Sequence, residues 1–541
     1  MLFSALAMAV AIQQDHCSAP AAQAPALPAK LLDGMGSSDF KITSKSPEAQ
    51  RFFNQGVSQL YAFWFLEAER SFMQSAALDP EAAMPYWGIA MSAAGDFRPA
   101  YQTFLNPNAR VPVLPSAGSG YARARDTITR ARGLKPKVTE REGLYIDAIA
   151  ARHNPRSRRP DDDYVAGMRR LVAAFPEDAD AKAILALALA AGYEQQSRQP
   201  RRQSQESVLL LNEVLRANPD HVGALHFLMH ALEDSGRGQE AWPAAERYPA
   251  LVPAIPHALH MPGHVFVQTG RFEEALRAFE NAAAKERSYM TADPAYPIDH
   301  YLHNEHFLIY TLNALGKLRA ASDESRRLMS IPETAQERDA PDANSSYRVG
   351  WFGLMRTLVR FEKWNDILDG KMLPLYRQPR EEIWYHWAQG LAHAERLDTA
   401  AARVSLSRLD EAFERFKRMA DPVPRQFFVA RMELLARIEG SLSGLQHAAV
   451  EERDMLYAEP PPYPRPILEA VGRLALQSME FGTAESAFRT LLEREPGSGR
   501  ALLGLSRALS GMGRTAEAET AAAEFRKAWA GADPELRERF R

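Results

Sequence analysis

The chain has 541 residues, a formal net charge of −3 at pH 7 and a single cysteine. Its 46% of hydrophobic and 25% of charged residues are typical of a folded globular protein and exclude bulk disorder. The near-zero charge removes the electrostatic reason to expect a nucleic-acid partner, and one cysteine (Cys17) excludes an intramolecular disulfide and any site built from several cysteines of one chain.

The first eleven residues form an uncharged apolar run that ends in the small-x-small pattern Ala9-Val10-Ala11. This pattern resembles the hydrophobic region and cleavage site of a secretory signal peptide, although no basic residue precedes it. Residues 1–30 are therefore predicted to be a signal-like segment and a flexible leader. We expect export to a bacterial periplasm or the medium, with a cytoplasmic protein as the alternative. No later stretch is apolar over the roughly 18 residues that a membrane helix needs.

From residue 31 onward the pattern is helical, because apolar residues recur at spacings of three and four. Small residues and aromatics also recur at matching places. The similar segments are Ala68–Pro80, Gly270–Ala282, Ala484–Pro496 and Gly513–Ala518. Small residues let two helices approach closely, an aromatic ring fills the space between hairpins, and proline ends a helix.

These segments resemble the second half of a tetratricopeptide repeat, and Gly56, Gly88, Gly263, Trp351 and Gly390 match its first half. The resemblance implies an all-α fold, a right-handed α-solenoid of stacked helical hairpins with loop insertions. The runs 218–233 and 257–271 are further similar to a His-rich, exported bacterial subgroup of these proteins whose function is unknown.

Prolines mark the predicted boundaries. We expect a main repeat array over residues 31–457, interrupted by an insertion at 105–137, with His-rich repeats at about 221–330. The run Glu459-Pro-Pro-Pro-Tyr-Pro-Arg-Pro466 is typical of a stiff linker, so residues 458–541 are predicted to form separate C-terminal repeats.

Nine of the 14 histidines lie between residues 221 and 306, which is less than a sixth of the chain. Their register explains this enrichment. With the turn glycines Gly236, Gly270 and Gly316 as position fifteen, position five holds His226, His260 and His306, position nine holds His230, His264 and Tyr310, and position two holds His257 and His303. These positions share one face of the first helix of each hairpin, and Glu233 follows one turn below His230.

In tetratricopeptide proteins that face lines the concave groove, so the resemblance implies a ligand groove. Its predicted residues are His226, His230, Glu233, His257, His260, His264, His303, His306 and Tyr310. The pairs His226/His230 and His260/His264 are spaced i, i+4, and such pairs chelate a metal ion in metalloprotease helices. These four histidines are therefore candidate ligands for a divalent transition metal such as zinc or copper.

The sequence carries no catalytic serine elbow, phosphate-binding loop or dinucleotide motif, so no catalytic residue is predicted. We expect an interaction scaffold that binds a protein or peptide in a His-lined groove. The alternatives are a metal-binding protein or metal-dependent hydrolase, a groove whose affinity responds to pH, and histidines with a purely structural role.

Overall fold

The computed structural model describes residues 28–95, 120–194, 197–293, 296–340, 344–419, 423–455 and 458–540. The predicted signal-like segment lies almost wholly outside these residues, as does most of the insertion predicted at 105–137. Within the described ranges the regular structure is helical, apart from one isolated bridge between Tyr193 and Pro200. No helix in this part of the chain combines the length and hydropathy needed to cross a membrane.

The chain divides into two compact units. The N-terminal unit comprises the described residues of 28–265 and 278–300, and the C-terminal unit comprises those of 266–277 and 301–540. The predicted linker at 458–466 lies inside the C-terminal unit, where Tyr463 and Arg465 are buried. The domain boundary at 458 itself stays a prediction.

The N-terminal unit is built from α1 to α10 and from parts of α11 and α12. Their bounds are α1 (Pro47–Tyr61), α2 (Phe65–Leu78), α3 (Met84–Ala94), α4 (Tyr121–Leu134), α5 (Glu140–Arg152), α6 (Pro160–Ala174), α7 (Ala179–Leu189), α8 (Ser204–Ala217), α9 (Val222–Ala231), α10 (Trp242–Leu251), α11 (Pro256–Gln268) and α12 (Phe272–Ala292). Short 3-10 turns at Lys135–Lys137 and Gly238–Ala241 precede α5 and α10.

Besides residues 266–277 of α11 and α12, the C-terminal unit comprises the chain from within α13 to the end of the described residues. Its helices are α13 (Asp299–Ala314), α14 (Leu318–Met329), α15 (Ala335–Asp339), α16 (Ser346–Arg360), α17 (Trp364–Leu368), α18 (Pro379–Glu395), α19 (Thr399–Lys417), α20 (Arg425–Glu439), α21 (Leu442–Arg453), α22 (Ile467–Gln477), α23 (Phe481–Arg494), α24 (Gly499–Gly511), α25 (Thr515–Ala528) and α26 (Pro534–Arg539).

Consecutive helices pack as hairpins, and glycines explain how closely they do so. The buried ring of Phe72 on α2 lies against Gly56 of α1 and Gly88 of α3, where an added Cβ would come within 2.7 and 2.4 Å of ring atoms. Phe488 on α23 occupies the corresponding place between two glycines of α22 and α24. These repeated contacts confirm the predicted all-α, tetratricopeptide-like architecture of stacked hairpins.

Local signals set the helix ends. The Ser46 hydroxyl accepts the Ala49 N–H at 3.1 Å before α1, and a reciprocal capping box joins Thr139 and Glu142 at the start of α5. Helix α9 is capped by His221, which directly precedes it and whose Nδ1 accepts the Ala224 N–H at 3.1 Å. Because α9 packs against α1 and α8, its inward face lies in the interior of the unit.

Candidate metal centre

Three histidines of the N-terminal unit meet in its interior. His226 and His230 lie one turn apart on α9, and His257 lies at the start of α11. Their exposed fractions are 0%, 5% and 3%. We call these three residues the histidine triad. Helical periodicity places the first two rings on one face of α9, and the packing of successive hairpins brings the third ring to them.

The triad has the dimensions of a metal site. The Nε2 atoms of His226 and His257 lie 3.0 Å apart, and one ring nitrogen from each of the three histidines lies within 4.8 Å of the others. Zinc–nitrogen bonds of 2.0–2.1 Å in a tetrahedral arrangement separate two ligand nitrogens by roughly 3.3 Å. The 3.0 Å between the Nε2 atoms of His226 and His257 is close to that separation.

The opposite ring nitrogens are held from outside the triad. Nδ1 of His226 donates to the Tyr61 carbonyl at 2.5 Å, and Nδ1 of His230 contacts the Glu233 carboxylate at 2.6 Å. Nδ1 of His257 lies 3.0 Å from Nε2 of His300. Metal-binding histidines in proteins usually hold their second nitrogen in this way, which fixes both the tautomer and the ring orientation.

The contact to His300 continues to a buried carboxylate. Nδ1 of His300 is hydrogen-bonded to Oε1 of Glu286, a fully buried residue of α12. Tyr61, the triad members His226 and His257, His300 and Glu286 thus form one continuous chain of hydrogen bonds. This chain links the triad to the buried carboxyl group of Glu286.

Aromatic rings enclose the triad. Phe63, in the turn between α1 and α2, stacks on His230 and His257 with ring centroids 5.2 and 5.8 Å apart, and its ring meets that of His226 at 4.6 Å. Tyr248 of α10 stacks on His226 at 5.4 Å. Burial, together with the neighbouring imidazoles, lowers the pKa of His257 well below its ordinary value of 6.5. His257 is therefore neutral at pH 7, the form that binds a metal ion.

A second pair of histidines lies further along α11. The Nε2 atoms of His260 and His264 are 2.7 Å apart, and both side chains are buried. We call them the α11 pair. The ring of His260 also lies 5.2 Å from that of His300 and 5.1 Å from Phe279 of α12.

The remaining predicted residues lie on α13 within the C-terminal unit. The ring of His303 packs against Phe307, the Nε2 atom of His306 faces the Arg356 guanidinium at 3.2 Å, and the Tyr310 hydroxyl donates to Glu495 at 3.3 Å. His306 thus shares a repeat position with His226 and His260 but has a cationic neighbour.

The structure places the clustered histidines in interiors. The triad, Glu233, the α11 pair and His303 are all at most 8% exposed. A peptide bound at the surface would not contact these side chains as they lie here. What the structure brings together is a set of buried imidazoles. The ligand groove predicted at these residues stays a prediction.

Sequence reasoning missed four contributors to this centre: the Tyr61 carbonyl, Phe63, Glu286 and His300. His300 was visible in the histidine count but fell outside the shared repeat positions. Glu286 lies on the second helix of its hairpin, whereas the shared repeat positions all lie on first helices. A main-chain carbonyl leaves no signal in a sequence.

No family model matches the chain, and no curated protein matches it either. Among solved structures, a human IFIT1 dimer with m7Gppp-AAAA is 13% identical, with 91% of this chain and 92% of that chain covered and a TM-score of 0.32. A second human IFIT1 dimer, with PPP-AAAA, is 13% identical over 90% and 92% of the two chains with a TM-score of 0.30. Scores this low add nothing to the helical-hairpin architecture already described.

Proposed function

We propose that this chain is a metal-binding, tetratricopeptide-like protein that holds a divalent transition-metal ion on Nε2 of His226, His230 and His257. One observation carries the proposal: three buried rings each place one nitrogen within 4.8 Å of the other two, while a carbonyl, a carboxylate and a fourth imidazole contact their Nδ1 atoms. The proposal keeps two of the four ligands predicted from sequence and adds His257.

The donor set decides which ions suit the site. Neutral imidazoles favour zinc, copper, nickel or iron over magnesium or calcium, and the triad contributes no thiolate that would select Cu(I). Three protein ligands leave a fourth position open, as in catalytic zinc sites. A bound ion would supply Lewis acidity at that position, so metal-dependent hydrolysis is the reaction class to assay.

Metal analysis of untagged protein tests the proposal. After exposure to zinc or copper(II) and dialysis, the wild-type chain should retain metal that the H226Q/H230Q variant loses. Glutamine is chosen because it keeps a polar side chain of similar size, and circular dichroism should show that the variant is folded. H447Q is the matched control, because His447 is 68% exposed on α21. Wild-type metal content equal to that of H226Q/H230Q would refute the proposal.

A role as an interaction scaffold is a second candidate, supported by an open cleft of about 820 Å³ in the N-terminal unit. The cleft is lined by the extended segment 37–43, by residues 174–180 before and at the start of α7, and by His221. A peptide bound there should be lost in K41E, because Lys41 is an exposed residue of the lining. Peptide-array binding unchanged in K41E would count against this candidate.

Export and membership of the His-rich bacterial subgroup belong to the same proposal. Both rest on the sequence patterns alone, at residues 1–30 for export and at 218–233 and 257–271 for the subgroup. Amino-terminal sequencing of protein recovered from the periplasm or medium of a bacterial host tests export. A protein that stays in the cytoplasm with residue 1 intact would contradict it.

A further inference from the structure

We propose that the α11 pair, His260 and His264, binds a second divalent metal ion beside the first, so that the N-terminal unit holds two ions. This inference rests on the proposed function and extends it. It comes from the geometry of α11, from the packing of α12 against it, and from the imidazoles that lie between the two positions.

The α11 pair presents two nitrogens to each other across one helical turn. The Nε2 atoms of His260 and His264 are 2.7 Å apart, with exposed fractions of 0% and 3%. At that distance two imidazole nitrogens require one proton between them, since two lone pairs repel and two N–H groups clash. A divalent ion would take the place of that proton, which would move to Nδ1 of the same neutral ring, and the ion would be bound by both rings, as at the i, i+4 histidines of metalloprotease helices.

The packing of α12 gives the pair a preformed wall. Gly263 lies between the two histidines in sequence, and a Cβ at this position would come within 2.4 Å of the Phe279 ring. The missing side chain lets Phe279 approach, and its ring lies 5.1 Å from His260 and 6.5 Å from His264. Both imidazoles are thereby held against a rigid, water-poor surface that limits their rotation.

The two positions share a wall of imidazoles. The ring of His257, a member of the triad, stacks on that of His260 with centroids 5.9 Å apart. The ring centroid of His300 lies 5.0 Å from that of His257 and 5.2 Å from that of His260. His226 lies on the other side of His257 at 4.9 Å. An ion on the α11 pair therefore lies next to the ion on the triad, and the carboxylates of Glu233 and Glu286 offset part of the combined charge.

Copper(II) titration with electron paramagnetic resonance tests the inference. Wild-type protein should bind two equivalents and show the half-field signal of two magnetically coupled copper ions. H260Q/H264Q should bind one equivalent and lose the half-field signal, and H226Q/H230Q should bind one equivalent at the remaining position. H264Q alone, a milder change, should weaken the second equivalent by at least about tenfold. Circular dichroism checks the fold of each variant, and H447Q should match wild type.

The outcomes separate this inference from the proposed function. A single equivalent in wild type, lost in H226Q/H230Q and kept in H260Q/H264Q, would overturn the second site and leave the first intact. A single equivalent that depends on the α11 pair and survives in H226Q/H230Q would overturn both. Two equivalents without magnetic coupling would show separated ions and contradict the shared wall.

Discussion

Replacing Glu286 with glutamine should reduce by one the number of protons that are released when metal binds. Glu286 lies at the end of the hydrogen-bond chain that runs from the Tyr61 carbonyl through three imidazoles. The substitution keeps the size of the side chain and its ability to hydrogen-bond but removes its charge. Because the change is remote from the proposed ligands, it tests the chain rather than the site itself.

Each hydrogen bond of this series needs one proton between its two atoms. His226 donates through Nδ1, because the Tyr61 carbonyl only accepts, so its Nε2 must accept from His257. His257 then accepts at Nδ1 from Nε2–H of His300. A neutral His300 then carries its lone pair on Nδ1, the atom that faces Glu286. A carboxylate oxygen can also only accept, so two acceptors would face each other. That last hydrogen bond therefore requires one additional proton, shared between His300 and Glu286.

A metal ion bound to the triad as proposed would reverse the direction of these hydrogen bonds. Because the Nε2 lone pairs of His226 and His257 would be used by the ion, His257 would donate through Nδ1 and His300 would donate to the Glu286 carboxylate. The additional proton would then be released to solvent. In E286Q the amide N–H would donate to His300 before the metal binds, and the amide oxygen would accept from His300 afterwards. The same three imidazole protons would then serve both states, so this series of hydrogen bonds would release no proton.

Calorimetric titration with zinc in buffers of different ionisation enthalpy measures the proton count. The slope of the observed enthalpy against buffer enthalpy should be smaller by one proton in E286Q than in wild type. Equivalently, for each unit by which pH is raised, the metal affinity of wild type should increase tenfold more than that of E286Q. A tenfold change in affinity is about 1.4 kcal/mol of binding free energy. E233Q is the matched control, because Glu233 contacts His230 outside this chain. Equal proton release by wild type and E286Q would refute the hydrogen-bond assignment.

Three further predictions concern the stability of the fold. G263A should destabilise the protein by about 1–3 kcal/mol, because the added Cβ would lie 2.4 Å from the buried ring of Phe279. G133A is the control, since a Cβ at Gly133 would have no neighbour within 4 Å, and this variant should be neutral or stabilising in the same thermal melts. Burial raises the pKa of Glu452 to about 8. Between about pH 4.5 and pH 8 the folded chain therefore keeps a proton that the unfolded chain has released, and the stability of the fold falls as pH rises through this range. The melting temperature of E452Q relative to wild type should therefore rise from pH 4 to pH 9, and a constant difference would contradict this. E433Q should cost about 3–5 kcal/mol in urea unfolding, because it leaves the buried Arg465 guanidinium without its carboxylate, and a loss below 1 kcal/mol would be inconsistent with that burial.

The hairpin architecture was predictable because its signals are local. Helical periodicity, and small residues facing an aromatic ring, identify a tetratricopeptide-like hairpin within about 34 residues of sequence. Gly56 and Gly88 were recognised from that pattern, and the structure shows the reason, since both lie against Phe72. The same periodicity correctly placed His226 and His230 on one face of a helix.

The enclosure of the histidines was not predictable from the same pattern. The Tyr61 carbonyl is 165 residues from His226 in sequence, and Phe63 covers the triad from the same turn. Periodicity describes one helix and its neighbour in sequence, whereas this contact depends on α1 packing against α9. The repeat register also gave His306 the same position as His226, although its partner proved to be Arg356. Register fixes direction on a helix but not the residues that a side chain meets.

The orientation of the rings, more than their burial, argues for a ligand. A buried imidazole in a purely structural role needs partners for its nitrogens, and either nitrogen can take either partner. In the triad, His226, His230 and His257 all direct Nδ1 outward to a separate acceptor or donor. Well-packed apolar side chains would fill the same interior at lower cost in desolvation. Three rings turned the same way fit the proposed metal ion, which would contact the nitrogen opposite Nδ1 on each ring.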